Sequence, residues 1–444
     1  MSRDAKLDKP EAQATTPMTK DQYSRILEYL ERKQRGENVG EFVMHRPQSR
    51  EEATNWKYRY WGEKPVPKVG DVVSLVGIID PDLEAKSKLT PQSQMYEPYG
   101  WVDFDLGDDT EMDAVATFLN RHYTVGDDRF RFQYTRDYLR WALGPGGKLI
   151  GIRARTGPAG AGPIGACIGA SVRTFQVFSQ EYPTSEVNYL CVHPKLREKG
   201  LAPLLIDEMT RQMCEKGIVV GFFTSSRYIP TPISRVEFYH RPLDYEKLYR
   251  AGFVRLEPNV TLDRAVSTCM IQHRHKHKVQ RMSDRHYKTV YNLLCTYQDK
   301  YNVYQRYTFD EFVSTFKNSD IVSSFVLLKD DDRNEVLDFY SYYHLPLHVT
   351  KSETDPNVPD TVHGVYLHTY TSLNVTQLTI FKSAVLSAYE EGRDVFTCTD
   401  IMENMDILFD NFSKFTKGTG YLHYNFFNLT CPDVSPQQIC KVTV

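Results

Sequence analysis

Short continuous apolar runs alternate with amphipathic stretches along this chain, and the alternation predicts strands and helices in turn. The segment from Glu186 to Leu205 shows both patterns. Val187, Tyr189 and Cys191 interleave with Asn188, Leu190 and Val192, so both faces are largely apolar, as in a strand covered on both sides. A basic loop with Arg197, Lys199 and Gly200 follows. Pro203 then suits the first turn of a helix, where a missing N–H costs nothing. Leu204, Leu205, Met209 and Met213 give that helix a stripe to bury, and Lys216-Gly217 suits its C-terminal end. A strand that feeds a helix through a glycine turn presents unpaired backbone N–H groups at the positive end of the helix dipole, which is an anion site.

The rest of the chain keeps the same rhythm. Ile218–Thr224 reads as a second continuous apolar strand. Helices are predicted over 109–121, 245–252, 285–299, 308–317 and 374–391, and strands over 321–328, 336–343, 364–371 and 394–398. Residues 238–242 and 351–363 read as loops. Near the N-terminus Tyr23, Ile26, Leu27 and Leu30 predict a short helix after a polar, disordered stretch over 1–18. A change of style over 256–280 marks a boundary, giving a flexible arm over 1–45 and α/β units over 46–255 and 256–444. No internal repeat is visible in the residues.

Composition narrows the classes. Of 444 residues 41% are hydrophobic, ample for a large packed interior, and 54 basic against 57 acidic side chains leave no global field to recruit nucleic acid or an anionic membrane. Eight cysteines stand singly with no C-x-x-C pair, which argues against a zinc site or a disulfide framework and for a reducing compartment. The His273–Lys278 cluster reads as a solvated basic strand, since no carboxylate or cysteine completes a metal site. Nothing resembles a signal peptide or an 18-residue membrane span. A soluble cytoplasmic monomer is the expectation, with no metal and no nucleic acid.

The loop Arg197-x-x-Gly200-x-Ala202 resembles the (Gln/Arg)-x-x-Gly-x-(Gly/Ala) pyrophosphate loop of GNAT acyl-CoA N-acyltransferases. Taken alone, the hexad is equally an ordinary strand-helix turn. The longer string Glu186-Val-Asn-Tyr-Leu-Cys-Val-His193 is similar to the signature strand of protein N-myristoyltransferases, departing at Tyr189 and Pro194. Further counterparts follow in family order: Arg59-Tyr60-Trp61 before Pro65-Val66-Pro67, then Tyr123 with Asp127, Asp128, Phe130 and Phe132. Asp338–Pro346, Asp394–Asn404 and the spacing of 13 residues after Cys431 complete a likeness over about 50–444.

That resemblance implies an α/β fold of two fused GNAT-like halves (the acyl-CoA N-acyltransferase fold) around a continuous mixed sheet. It implies myristoyl-CoA as co-substrate, no other cofactor, and nascent proteins or peptides beginning with glycine as acceptors. Acyl-CoA contacts carry over to Arg59, Tyr60, Trp61, Tyr189, Leu190, Cys191 and Val192, and the phosphate loop to Arg197, Glu198, Lys199, Gly200, Leu201 and Ala202. The backbone N–H groups of Tyr189 and Leu190 would stabilise the oxyanion, and the chain-terminal carboxylate of Val444 would act as base. Peptide contacts carry over to Tyr123, Asp127, Asp128, Phe130, Phe132, Asn188, Thr224, Phe238 and His240, with Thr224 also steadying the amine. Departures lie in the peptide half: Lys414-Phe-Thr-Lys-Gly-Thr-Gly420 lacks one glycine and the acid of its counterpart. Two rival readings keep parts of the pattern, a GNAT enzyme acetylating peptide or lysine amines and a non-catalytic acyl-CoA scaffold.

Overall fold

The computed structural model describes residues 47–95, 97–123, 129–156, 162–330, 335–350, 357–409 and 413–442. The arm over 1–45 with its helix, Asp127, Asp128 and Val444 therefore lie outside the described residues.

Fourteen strands among the described residues share one sheet. Its N-terminal members are β1 (Tyr99–Asp103), β2 (Lys148–Ala154), β3 (Ile164–Val177), β4 (Gln180–Val192), β5 (Val220–Ser225) and β6 (Ser234–Pro242). Its C-terminal members are β7 (Lys278–Arg281), β8 (Val303–Arg306), β9 (Val322–Leu328), β10 (Val336–His344), β11 (Gly364–Tyr370), β12 (Val395–Thr399), β13 (Thr416–Phe427) and β14 (Ile439–Cys440). The order across the sheet is β14-β8-β3-β4-β5-β13-β6-β12-β11-β10-β9-β7, with β1 and β2 joined to β3. Three pairs, β4 with β5, β8 with β14 and β11 with β12, are parallel and the rest antiparallel, so the sheet is mixed. β3 is long enough to pair β2 along Ile164–Ala170 and β8 along Thr174–Val177.

Neither part of the chain keeps its strands to itself. β13 pairs antiparallel with both β5 and β6, so a late strand separates two early ones. Phe222 of β5 meets Tyr424 and Phe426 of β13 at 5.4 Å, and Phe175 of β3 lies 4.9 Å from Phe222. This aromatic packing runs through the centre of the core.

Helices cover the sheet. α1 (Asp109–His122) starts on Asp108, whose carboxylate accepts the Thr110 and Glu111 N–H groups, and ends with Arg121 and His122 against the dipole. α2 (Arg136–Leu143) begins on Thr135. α3 (Leu201–Glu215) lays Leu205, Met209 and Met213 on Ile150, Ile152 and Ile168, each fully buried side chain contributing about 1.5–3 kcal/mol. Leu204 is only half-buried. Gly217, at φ 74°, lies just past its C-cap, Lys216.

One expectation fails: the 238–242 stretch, read as a loop, belongs to β6. Residues 416–427, which carried no assignment, form β13, and Leu262–Cys269 is a helix within the 256–280 region. β6 is held by ladders to β12 and β13 on its two sides, and such long-range partners leave no periodic signal in a segment of mixed aromatic and polar residues. All eight cysteines are free thiols, and no described helix is long and apolar enough to cross a membrane.

Candidate active site

The site begins where β4 departs from regular pairing. Against β3 its register runs Cys167↔Cys191 and then Gly169↔Asn188, so Tyr189 and Leu190 oppose the single residue Ile168. This is a β-bulge, and the bulged residue is left out of the ladder. Tyr189 sits at φ 58°, a left-handed conformation that is costly for an aromatic residue. Gly169 makes the space for it, since a Cβ there would meet Tyr189 Cδ2 at 3.1 Å. On the other side, the parallel ladder to β5 ends at Val187↔Phe223. Asn188 and Thr224 are the next residues on the two strands, and beyond them the strands are no longer paired.

The Tyr189 ring is buried, 6.0 Å from Tyr123 and 5.8 Å from Tyr134. Burial pushes the Tyr123 phenol up to about 12, while a hydrogen bond from the Tyr189 backbone acts the other way. A hydroxyl therefore already addresses the bulge backbone.

After Val192 the chain makes one 3-10 turn, Pro194–Leu196, in which His193 Nδ1 accepts the Lys195 N–H at 3.2 Å. Arg197 folds back, donating to the Val192 carbonyl and the His122 carbonyl, each at 3.2 Å. Glu198 (φ 63°) and Gly200 (φ 79°) are both left-handed, and α3 starts at Leu201. The first N–H groups of a helix lack intrahelical partners, and Pro203 has none to satisfy. Residues 197–200 are exposed, and Leu201 and Ala202 half-buried, so the amide cradle opens to solvent.

The aromatic segment bridges the two elements beside that opening. Tyr60 Oη donates to Asp207 of α3 at 2.6 Å, and Lys64 Nζ reaches the same carboxylate oxygen at 2.6 Å. Burial raises the Tyr60 phenol well above its ordinary value, and the bond to Asp207 adds to it. Trp61 stacks on Phe223 of β5 at 5.3 Å with 14° between the rings. Arg59 is exposed.

A second group of predicted residues meets through rings. Phe130 and Phe132 lie on a short strand paired with Leu347–Val349. Phe132 contacts Tyr134 at 6.1 Å and Tyr366 at 6.2 Å, which links it to Tyr189. Phe130 contacts Phe253 at 5.6 Å, and Phe253 contacts His240 at 5.3 Å. His240 Nδ1 lies 3.0 Å from Thr397 Oγ1, and burial lowers its pKa to about 4, so the ring is neutral at pH 7. Gly418 passes so close that a Cβ would sit 2.5 Å from His240 Nε2. Phe238 lies on the same face of β6, beside Gly420.

Several participants escaped the sequence reading. Tyr134, Phe253 and Tyr366 join the predicted aromatics, and only their frequency in a 13% aromatic chain hinted at them. A buried charged group below the bulge was also missed. Glu186 and Lys441 form an ion pair at 3.0 Å with both side chains 4% exposed. A carboxylate inside an otherwise apolar strand was its one visible signal. Among the described residues no group of three or more His, Cys, Asp or Glu is placed to hold a metal ion.

Comparison with known proteins gives a consistent result. The N-terminal domain model of myristoyl-CoA:protein N-myristoyltransferase matches residues 78–236, and the C-terminal domain model matches residues 250–443. The glycylpeptide N-tetradecanoyltransferase of Candida albicans is 30% identical over 392 residues, covering 84% of this chain and 84% of its own. Glycylpeptide N-tetradecanoyltransferase 2 of Danio rerio is 31% identical over 396 residues, covering 88% of this chain and 78% of its own. The crystal structure of Saccharomyces cerevisiae N-myristoyltransferase with bound myristoyl-CoA superposes with a TM-score of 0.76 at 25% identity, over 85% of this chain and 94% of that one.

Proposed function

The chain belongs to the myristoyl-CoA:protein N-myristoyltransferase family, and from that premise we propose that it transfers myristate from myristoyl-CoA to the α-amine of an N-terminal glycine by direct attack. It is an acyltransferase, with myristoyl-CoA as its co-substrate. The observation that carries the mechanism is the bulge at Tyr189-Leu190 where β4 parts from β5.

The donor would thread between the diverging strands. Its phosphates would lie on the amides of Glu198–Ala202, where the dipole of α3 favours negative charge. Its thioester carbonyl would take the bulge N–H groups of Tyr189 and Leu190, displacing the Tyr123 hydroxyl from the bulge, and these main-chain donors stay fixed as charge develops on oxygen. Because the donors are backbone, a tyrosine at 189 serves as well as a phenylalanine. The amine nitrogen attacks the carbonyl carbon, the C–N bond forms, the C–S bond breaks, and the thiolate of CoA leaves with the proton that the amine gives up.

The amine must first be neutral. A free α-amine titrates at about 7.7–8.0 and an α-carboxyl at about 3.3–3.7, a gap of roughly four units. A dry pocket narrows that gap from both sides by disfavouring both charges. On this reading the Val444 carboxylate is the base, with Thr224 and Asn188 steadying the amine at the end of the β4–β5 ladder. The chain of rings from Tyr189 through Tyr134 and Phe132, with Phe130, Phe253 and His240, would wall the acceptor peptide.

The test is single-turnover transfer to an octapeptide beginning with glycine, comparing myristoyl-CoA with acetyl-CoA. Transfer of myristate in preference to acetate is expected. Preference for acetate assigns the chain to another acyl transfer, and tight acyl-CoA binding without transfer makes it a scaffold. Removal of Val444 should slow the chemical step and spare acyl-CoA binding; unchanged single turnover rules out that base.

A further inference from the structure

The Glu186–Lys441 ion pair has no part in the chemistry above, yet it joins the two segments that the chemistry needs. Glu186 lies three residues before Tyr189 on β4, in register with Ser171 of β3 and Phe222 of β5. Lys441 follows β14, whose parallel ladder to β8 ends at Cys440↔Tyr304. Past that point the main-chain ladder no longer holds the tail. Tyr424 Oη donates to the Lys441 carbonyl at 3.0 Å, and Lys441 Nζ lies 3.0 Å from Glu186 Oε2.

The neighbouring cation is committed elsewhere. Arg173 donates to the Ala142 carbonyl at the C-terminal end of α2 at 2.9 Å and packs against Gly144. Glu186 Oε1 and His368 Nδ1 are buried without partners beside a cavity of about 20 Å³, room for one water. Burial of such a pair brings little net stability, and in some proteins it serves instead to fix one arrangement of the segments it joins.

We propose that Lys441 is a positioning residue for acyl transfer: its ion pair with Glu186 locks the segment after Cys440 to the strand that presents the Tyr189-Leu190 amides. The proposal rests on the transfer reading given above. It makes the distance between base-bearing tail and oxyanion donors depend on a buried side-chain contact beside the Tyr424 hydrogen bond. Misplacement of reacting groups by about 1 Å is enough to cost on the order of 100-fold in rate.

The experiment uses the full chain with preloaded myristoyl-CoA and a glycine-initiated octapeptide. Lys441→Met, which keeps length and removes charge, should lower the single-turnover rate by about 100-fold and leave the Kd for myristoyl-CoA unchanged. Lys441→Arg should restore most of the rate. Glu186→Gln combined with Lys441→Met leaves no unpaired buried charge, so it keeps the comparison open if the single change costs the fold, and it should be no slower than Lys441→Met alone. A wild-type rate in Lys441→Met or in the double variant overturns the proposal. So does a parallel loss of rate and acyl-CoA affinity, or an arginine variant no better than methionine. Failure of the unmodified protein to transfer myristate refutes the transfer reading itself, before any variant is compared.

Discussion

On the proposed reading, the donor side and the acceptor side of this site are built from different materials. On the donor side, the bulge, the two left-handed loop residues and the first turn of α3 all offer backbone groups, and all come from residues 186–205. On the acceptor side, side chains converge from far apart in the chain: Phe130, His240, Phe253, Tyr366, Thr397 and the near approach of Gly418. A backbone site depends on conformation and tolerates changes of side chain. A side-chain site changes its preference with each substitution. The departures from the family pattern around 414–420 fall on the second kind.

Breaking a backbone donor should give the largest effect. Leu190→Pro removes one amide from the bulge and should slow the chemical step by about 10²–10³-fold, read in single turnover with folding checked by thermal unfolding. Leu190→Ala, which keeps the N–H, should be close to normal, and equal loss in both would refute the backbone assignment.

Gly418→Ala probes the other material. Its Cβ would arrive 2.5 Å from His240 Nε2 and displace the ring, so KM for the peptide should rise by roughly tenfold, about 1.4 kcal/mol of lost contact, with acyl-CoA affinity unchanged. An unchanged peptide KM would remove His240 from the acceptor wall. Gly200→Ala should do the reverse at smaller scale. A left-handed alanine is strained by about 1 kcal/mol, so myristoyl-CoA should bind several-fold more weakly while peptide KM stays constant.

The smallest effect at neutral pH is protonation. Burial lowers His240 to about 4, and His344 and His368 to about 3. The unfolded chain takes up protons near 6.5 and the folded one does not, so stability is full above about 6.5 and falls as pH drops toward 4 and 3. Thermal unfolding from pH 7 to 4 should show a falling Tm, and His240→Gln should flatten its part of the slope. A Tm independent of pH over that range would contradict the buried neutral assignment.

The same contrast explains what could be read from sequence. The donor loop was legible because strand, turn and helix succeed one another, and Gly200 and Pro203 mark the turn by conformational need. The stripe Leu205, Met209 and Met213 foretold the face of α3 by period alone. β13 was not legible: its first half is largely exposed and carries two glycines, and its second half, which includes His423 and Asn425, is buried because β5 and β6 enclose it. Lys441 was hidden for a related reason. A lysine is solvated unless something distant meets it, and Glu186 is 255 positions earlier.

The insertion of β13 between β5 and β6 also sets an order of events during synthesis. β5 and β6 emerge from the ribosome close together, free to pair as a hairpin that the finished sheet forbids. Their shared native partner β13 and the other neighbour of β6, β12, are translated much later, so one edge of β5 and both edges of β6 must wait open. The protein would thus complete its fold only after release of its last strands, with high contact order and slow closure. Such a chain should resist being cut into independently folding parts and should depend on chaperones that shield unpaired edges until the late strand arrives.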